Sequence, residues 1–177
     1  TFYGNNTLGG NLGSSDGNAL NTVAITGGVD VTAGSHEINA FNLNIDGFAT
    51  LTSSALISGG DNDDSGSSFK DAAIYLADSS LLTLNDGSSI YATIDGPGNL
   101  VIDTELNSLN SRVNIGGSTV LSSITLSSAA TLDVTGNNGS VKADKIFFVD
   151  GATLKLGDGE IVGQLIGNGH DDWGTLD

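Results

Sequence analysis

The residues best suited by type and spacing to do chemistry are Asp61, Asp63 and Ser65, with Gly66 after them. Oxygen ligands at alternate positions followed by a glycine form the first half of a calcium loop, where the glycine permits the sharp turn. The twelfth position, which needs a bidentate Glu, is Ala72, and Asp71 falls one residue early. The ligand set is therefore incomplete, and the competing reading is a solvated acidic loop. The nine-residue repeat of calcium-dependent β-rolls fails as well, because Gly59-Gly60-Asp61-Asn62-Asp63 lacks its glycine at the fourth position. No cofactor is expected. Calcium is retained only as a weak candidate for Asp61, Asp63 and Ser65, and the same stretch, with Asp64, is a candidate binding loop.

Catalysis is poorly provided for. His36 and His170 are the only imidazoles, and neither lies in a Gly-x-Ser-x-Gly elbow. A glycosidase needs two carboxylates about 5–10 Å apart, which a chain rich in Asp supplies by chance. Sugar sites also want aromatic platforms, and Trp173, Tyr3, Tyr75 and Tyr91 are a thin supply. Arg112, Lys142 and Lys145 are too few to hold an acidic polysaccharide. The expectation is a chain that is not an enzyme, with a carbohydrate-active β-helix lyase or glycosidase as the alternative.

Five basic residues against 21 acidic ones give a formal charge of −16. Phosphate backbones and anionic lipid surfaces require clustered Lys and Arg, so neither nucleic acid nor a membrane surface is an expected partner. No apolar run of about 20 residues is present, so no segment is expected to insert into a membrane. Cys and Met are both absent. Without disulfides, stability must come from burial and backbone ladders. Lys70, the only basic residue between Thr1 and Tyr91, is close to Asp61, Asp63 and Asp64. Three carboxylates within four residues repel one another, and a basic protein surface is the expected partner in preference to a structural ion.

The framework that must carry this loop is legible as a repeat. Gly accounts for 26 of 177 residues, about twice the usual share of roughly 7%. Together with Asn, Ser, Asp and Thr it supplies turn chemistry many times over. An inward apolar residue is followed six positions later by another in Ile25/Val31, Ile45/Leu51, Leu76/Leu82, Ile94/Leu100, Ile115/Leu121, Leu126/Leu132 and Phe148/Leu154. Successive first members are 20, 31, 18, 21, 11 and 22 residues apart. A period of about 20 is one supersecondary unit stacked on itself. A further apolar-x-small signal at Ile38-Asn39-Ala40, Ile90-Tyr91-Ala92, Val141-Lys142-Ala143 and Ile161-Val162-Gly163 marks a third strand.

The predicted fold is all-β: a right-handed parallel β-helix of about 20 residues per coil, with three short strands in each. An antiparallel sandwich would want hairpin dipeptides, and Asp46-Gly47, Asp86-Gly87, Asp95-Gly96 and Asn138-Gly139 would serve. Hairpin loops would not keep one six-residue offset across corners as different as Asp95-Gly96-Pro97-Gly98 and Ser127-Ser128. Ile45, Leu76, Ile94, Leu126 and Phe148 are expected to stack in aligned interior ladders. Residues 1–177 read as a single solenoid segment, with 1–22 irregular or a weak first coil. The offset of 31 implies a loop protruding over 58–72. The offset of 11 implies one long coil whose two faces both fit the six-residue template, so the repeat count is six or seven.

Gly151-Ala152-Thr153-Leu154-Lys155-Leu156, Ala129-Ala130-Thr131-Leu132-Asp133-Val134 and Phe48-Ala49-Thr50-Leu51-Thr52 resemble the small-Ala-Thr-Leu-x-apolar repeats of autotransporter passenger domains. Ile161-Val162-Gly163-Gln164-Leu165-Ile166-Gly167-Asn168-Gly169 is similar to repeats of the rickettsial surface cell antigens in that group. The likeness covers most of residues 23–169 and lies in composition and repeat. It implies a passenger exported by type V secretion to the cell surface or outer membrane of a Gram-negative bacterium, or released from it. A C-terminal outer-membrane β-barrel would continue the same chain, making this a fragment of a longer passenger. Family members are often virulence adhesins for host-cell proteins or matrix, or the stalks that present them. The family has no shared binding motif, so no functional residue carries over.

Overall fold

The computed structural model describes residues 2, 4–14, 18–60, 71–106, 112–135, 140–157, 159–167 and 175–176. Asp61, Asp63, Asp64, Ser65, His170 and Trp173 lie outside the described residues. The first strands are β1 (Asn6–Thr7), β2 (Leu20–Ile25), β3 (Asp30–Gly34), β4 (Ile38–Ile45), β5 (Thr50–Ser53) and β6 (Leu56–Ser58). After the insertion come β7 (Ala72–Leu76), β8 (Leu81–Leu84), β9 (Ser89–Asp95), β10 (Asn99–Ile102), β11 (Glu105–Leu106) and β12 (Arg112–Ile115). The remainder are β13 (Leu121–Leu126), β14 (Thr131–Asp133), β15 (Val141–Phe148), β16 (Thr153–Lys155), β17 (Ile161–Gly167) and β18 (Thr175–Leu176).

All strand pairs are parallel and join one coil to the next, giving a β-solenoid of about seven turns with strands about 21 residues apart. The described residues include no α-helix. Three interior rows define the register. On the first sheet, Val23, Leu43, Ile74, Ile94, Ile115, Val141 and Ile161 lie opposite one another in succession. On the second, the row is Val31, Leu51, Leu82, Leu100, Ile124, Ile146 and Leu165. The third sheet runs in two portions, Ile38–Ile57–Ile90 and Leu106–Leu132–Leu154–Leu176. Strand alternation turns every second residue inward, and these rows fill the interior from Val23 to Leu154 with apolar side chains. Each buried Leu or Ile contributes about 1.5–3 kcal/mol, but only when the neighbouring coils are in place.

The six-residue spacing has a local cause. Between its two members lies a four-residue turn in which the fourth N–H donates to the first carbonyl. Ala49 N–H donates to Asp46 O at 3.0 Å, Ser80 to Ala77 at 3.0 Å, Ser88 to Asn85 at 3.0 Å, Ala130 to Ser127 at 3.0 Å and Ala152 to Val149 at 2.9 Å. The third residue of each turn has positive φ: Phe48 at 61°, Ser79 at 63°, Gly87 at 86°, Ala129 at 59° and Gly151 at 77°. That is the backbone of a type II turn. The fourth residue is small and buried, as Ala49, Ser80, Ser88, Ala130 and Ala152 are.

The same turn serves two different corners, and this corrects the expected ladders. Asp46–Ala49 and Ala77–Ser80 join the first sheet to the second, whereas Asn85–Ser88, Ser127–Ala130 and Val149–Ala152 join the second to the third. Ile45 lies opposite Leu76, but Ile94 lies opposite Ile74. Leu126 and Phe148 stack on Ile102, on the second sheet. The offset of 11 is the step from one corner to the next within a single coil. Ile38 and Ile90 belong to the third sheet as their signal suggests, but Val141 and Ile161 continue the first-sheet row from Ile115. The reason is the wide corner Gly116–Val120, which has no counterpart in β15: that strand crosses from the first sheet to the second, with Asp144 and Lys145 turned outward in succession.

Candidate functional site

The region singled out by sequence interrupts the stack between β6 and β7. Leu43 and Ile74 are paired although 31 residues apart, as are Leu51 and Leu82, against 20 residues from Val31 to Leu51. The rows resume on both sides without loss of register. The stretch containing Asp61, Asp63, Asp64 and Ser65 is thus bracketed by Gly60 and Asp71. Asp71 itself has further partners.

The base of this insertion is tied down by polar groups removed from water. Ser58 Oγ–H donates to Asn39 Oδ1 at 2.8 Å, and Gly60 N–H donates to Ser58 Oγ at 3.1 Å. Asn39 Nδ2–H donates to Glu37 Oε2 at 3.3 Å, while Asn39 N–H donates to Leu12 O at 2.8 Å. Asn39 and Ser58 are both fully buried. Satisfied hydrogen bonds inside low-dielectric surroundings rigidify a site, and a buried amide left without them would cost about 1–3 kcal/mol. The cluster fixes the point from which the insertion departs.

The coils that bracket it expose three aromatic side chains, of which only Tyr75 stands out in the sequence as a platform. Phe48, Tyr75 and Phe41 are 78%, 47% and 40% exposed, and all three belong to the two coils that bracket the insertion. Tyr75 faces outward on β7, opposite Asn44 on one side and Asp95 on the other. Phe48 projects from the neighbouring corner at positive φ, a conformation that a bulky L-residue adopts only at a cost of about 1–2 kcal/mol. Asp46 and Asp78 occupy the same corner on successive coils. Phe48 stands in the run Phe48-Ala49-Thr50-Leu51, so the sequence offers little to mark it as outward.

Several carboxylates elsewhere are engaged by the scaffold. Asp95 Oδ1 accepts from the N–H groups of Ser118 and Thr119 at 2.9 and 3.3 Å, holding the wide corner. Asp30 Oδ1 accepts from Thr50 Oγ1–H at 2.7 Å, and Asp133 Oδ1 from Thr135 Oγ1–H at 2.6 Å. Glu160 pairs with Lys142 at 2.9 Å, and Asp133 with Lys155 at 4.0 Å. The N–H of His36, a half-buried residue, donates to Ala33 O at 3.1 Å. Among the described residues no three His, Cys, Asp or Glu side chains are grouped so as to hold a metal ion. No protein-family model, curated protein or solved structure matches this chain.

Proposed function

We propose that this solenoid is a non-catalytic adhesin segment of the autotransporter-passenger kind, displayed outside a Gram-negative cell and engaging a basic host-cell or matrix protein. The observation that carries the reading is the 31-residue step from Leu43 to Ile74, which adds an Asp-rich stretch of sequence beyond the buried Asn39–Ser58 base, between coils whose ladders run on undisturbed. Solenoids accept insertions at corners because loop closure costs little more with added length, and such excursions are where binding concentrates. Phe48 and Tyr75 supply the exposed aromatic contacts that dominate protein interfaces. Lys or Arg of a partner would find both carboxylates and ring faces there.

Binding of the purified chain to host-cell surfaces or matrix proteins tests the proposal. Deleting residues 61–68 should leave the melting temperature within about 2 °C of wild type, because the ladder rows do not depend on them, and should abolish most cell binding. Steady turnover of a glycan, lost on one Asp→Asn change, would replace this reading with the carbohydrate-active one. Intact folding with full binding after the deletion would move the contact elsewhere on the solenoid. A calcium-induced rise in melting temperature, lost in Asp63→Ala, would make the insertion a metal site.

A further inference from the structure

On the outer face of the first sheet the strand registers lay out a grid of side chains. Asn42, Ala73 and Thr93 lie opposite one another on successive coils, and Asn44, Tyr75 and Asp95 form the parallel row two residues further along. Alternation turns both rows outward, and Ala73 and Tyr75 are exposed at their centre. Asp95 is the only charge among the six, on a chain whose formal charge is −16. The rows run on without charge into Thr22 and Ala24 on one side and Asn114 on the other. Phe41 stands where β4 passes from the third sheet to the first, and Phe48 at the corner where the first sheet ends. Phe41 and Asn44, the partner of Tyr75, are three residues apart, about 10 Å along an extended strand.

The backbone of these strands is taken up by the ladders between coils, so a ligand meets side chains alone. Among the described residues the side chains of Asn44, Tyr75 and Thr93 have no hydrogen-bond partner. Asn42 Nδ2–H donates to Asn21 O at 3.0 Å, which sets the amide and leaves Oδ1 to accept. Asp95 Oδ1 is held by the N–H groups of Ser118 and Thr119, which leaves Oδ2 to accept. Ala73 carries only a methyl group, so nothing tall stands beside the Tyr75 ring on its own strand.

We infer that this face binds an uncharged glycan chain, with one pyranose stacked on the Tyr75 ring. A pyranose has an apolar C–H face to lay on the ring and hydroxyls at its rim. Asn44 and Asp95 flank the ring at the spacing of about 4.8 Å between coils, with Asn42 and Thr93 in the next row. An anionic glycan would meet Asp95 and the negative field of the whole chain, with no Lys or Arg in the grid to offset them. A peptide is served less well, because the ladders leave no backbone group for it to pair with and the ring stands among amides and a carboxylate. Phe41 and Phe48 lie outward of Tyr75 on either side, where further sugars of the same chain would pass. Hydrolysis needs two carboxylates, and the grid holds one, so the activity is binding. The face is distinct from the acidic insertion, it does not rest on the adhesin reading, and cell binding is not its readout.

Calorimetric titration of the full chain with cellohexaose, mannohexaose and N-acetylchitohexaose is the test, with a hyaluronate hexasaccharide as the anionic comparison. Saturable binding of at least one uncharged oligosaccharide is expected, and none of hyaluronate. Tyr75→Ala should weaken binding about tenfold or more, whereas Tyr75→Phe should hold it within about threefold. Ala73→Arg, at an exposed position, should abolish binding with the melting curve unchanged. Deletion of residues 61–68 should leave glycan affinity as it is, which separates this site from the insertion. A folded chain that binds none of the three uncharged oligosaccharides overturns the inference, as does binding that survives Tyr75→Ala or that hyaluronate matches. Loss of cell binding in Tyr75→Ala, without glycan binding by the parent chain, also overturns it and gives the ring to the protein partner.

Discussion

Leu132 and Ala129 are three residues apart and obey opposite rules. Leu132 belongs to a row in which each coil repeats the same chemistry, Leu106, Leu132, Leu154 and Leu176. Ala129 belongs to a corner position filled elsewhere by Phe48, Ser79, Gly87 and Gly151. The interior tolerates little variety because each side chain is packed above and below by its own kind. The corner tolerates much because the turn is specified by one backbone hydrogen bond and a small fourth residue, with the third side chain pointing to water. Fold and variation are thereby separated along the chain at intervals of a few residues.

The contrast breaks most visibly at the interior. Leu132→Asp places an unpaired charge among fully buried apolar neighbours, and should cost about 4 kcal/mol or more. Because coils are stable only together, thermal melting should show neighbouring coils lost with it. A melting temperature equal to wild type would mean that Leu132 faces solvent.

Next in size is the corner that breaks the corner rule. Asp95-Gly96-Pro97-Gly98 does the work of Asp46–Ala49 two coils further along, but Gly96 sits at φ 104°, and a Cβ on it would fall 2.2 Å from the Leu76 carbonyl oxygen. A Cβ there would collide with backbone, so Gly96→Ala should cost about 3 kcal/mol in chemical denaturation. The Ala129→Gly change, at an open corner, should cost nothing.

Two serines at the same buried turn position separate satisfied from unsatisfied corners. Ser88 Oγ–H donates to Ser53 O at 2.9 Å, whereas Ser80 Oγ is buried with no partner. Ser88→Ala should destabilise by about 1 kcal/mol. Ser80→Ala should be neutral or stabilising, matching the alanines at positions 49, 130 and 152. Equal losses from both would refute this account of the corner.

The smallest effect is also the most informative about function. Phe48→Gly relieves about 1–2 kcal/mol of left-handed strain and gives back about 0.5–1 kcal/mol as backbone entropy. The chain should therefore gain roughly 0.5–1 kcal/mol of stability while losing affinity for its partner. A stabilised variant that binds fully would show that Phe48 is ornament to the interaction.

Much of this architecture is legible in the sequence, for a physical reason. Period-two alternation and a four-residue turn impose a six-residue spacing on apolar residues, so Ile45/Leu51 and Leu126/Leu132 stand out without a structure. The corner to which each pair belongs is hidden, since Asp46–Ala49 and Ser127–Ala130 use one turn chemistry at different vertices. The wide corner at Gly116–Val120 and the cornerless β15 then shift the first-sheet row, and no local pattern announces either. The insertion is legible from its length. The exposed aromatic Phe48 is not, because a phenylalanine before Ala-Thr-Leu looks like part of the core run until its backbone is known to be left-handed.

The chain circulates around the solenoid while the hydrogen bonds between coils point along it, so an axial load meets bonds one rung at a time. Stretched from its ends, such a body peels instead of shearing, and each released coil of about 21 residues yields roughly 70 Å of slack. The 31-residue step from Leu43 to Ile74 hides roughly 105 Å, a longer tether paid out at the coil that carries the acidic insertion.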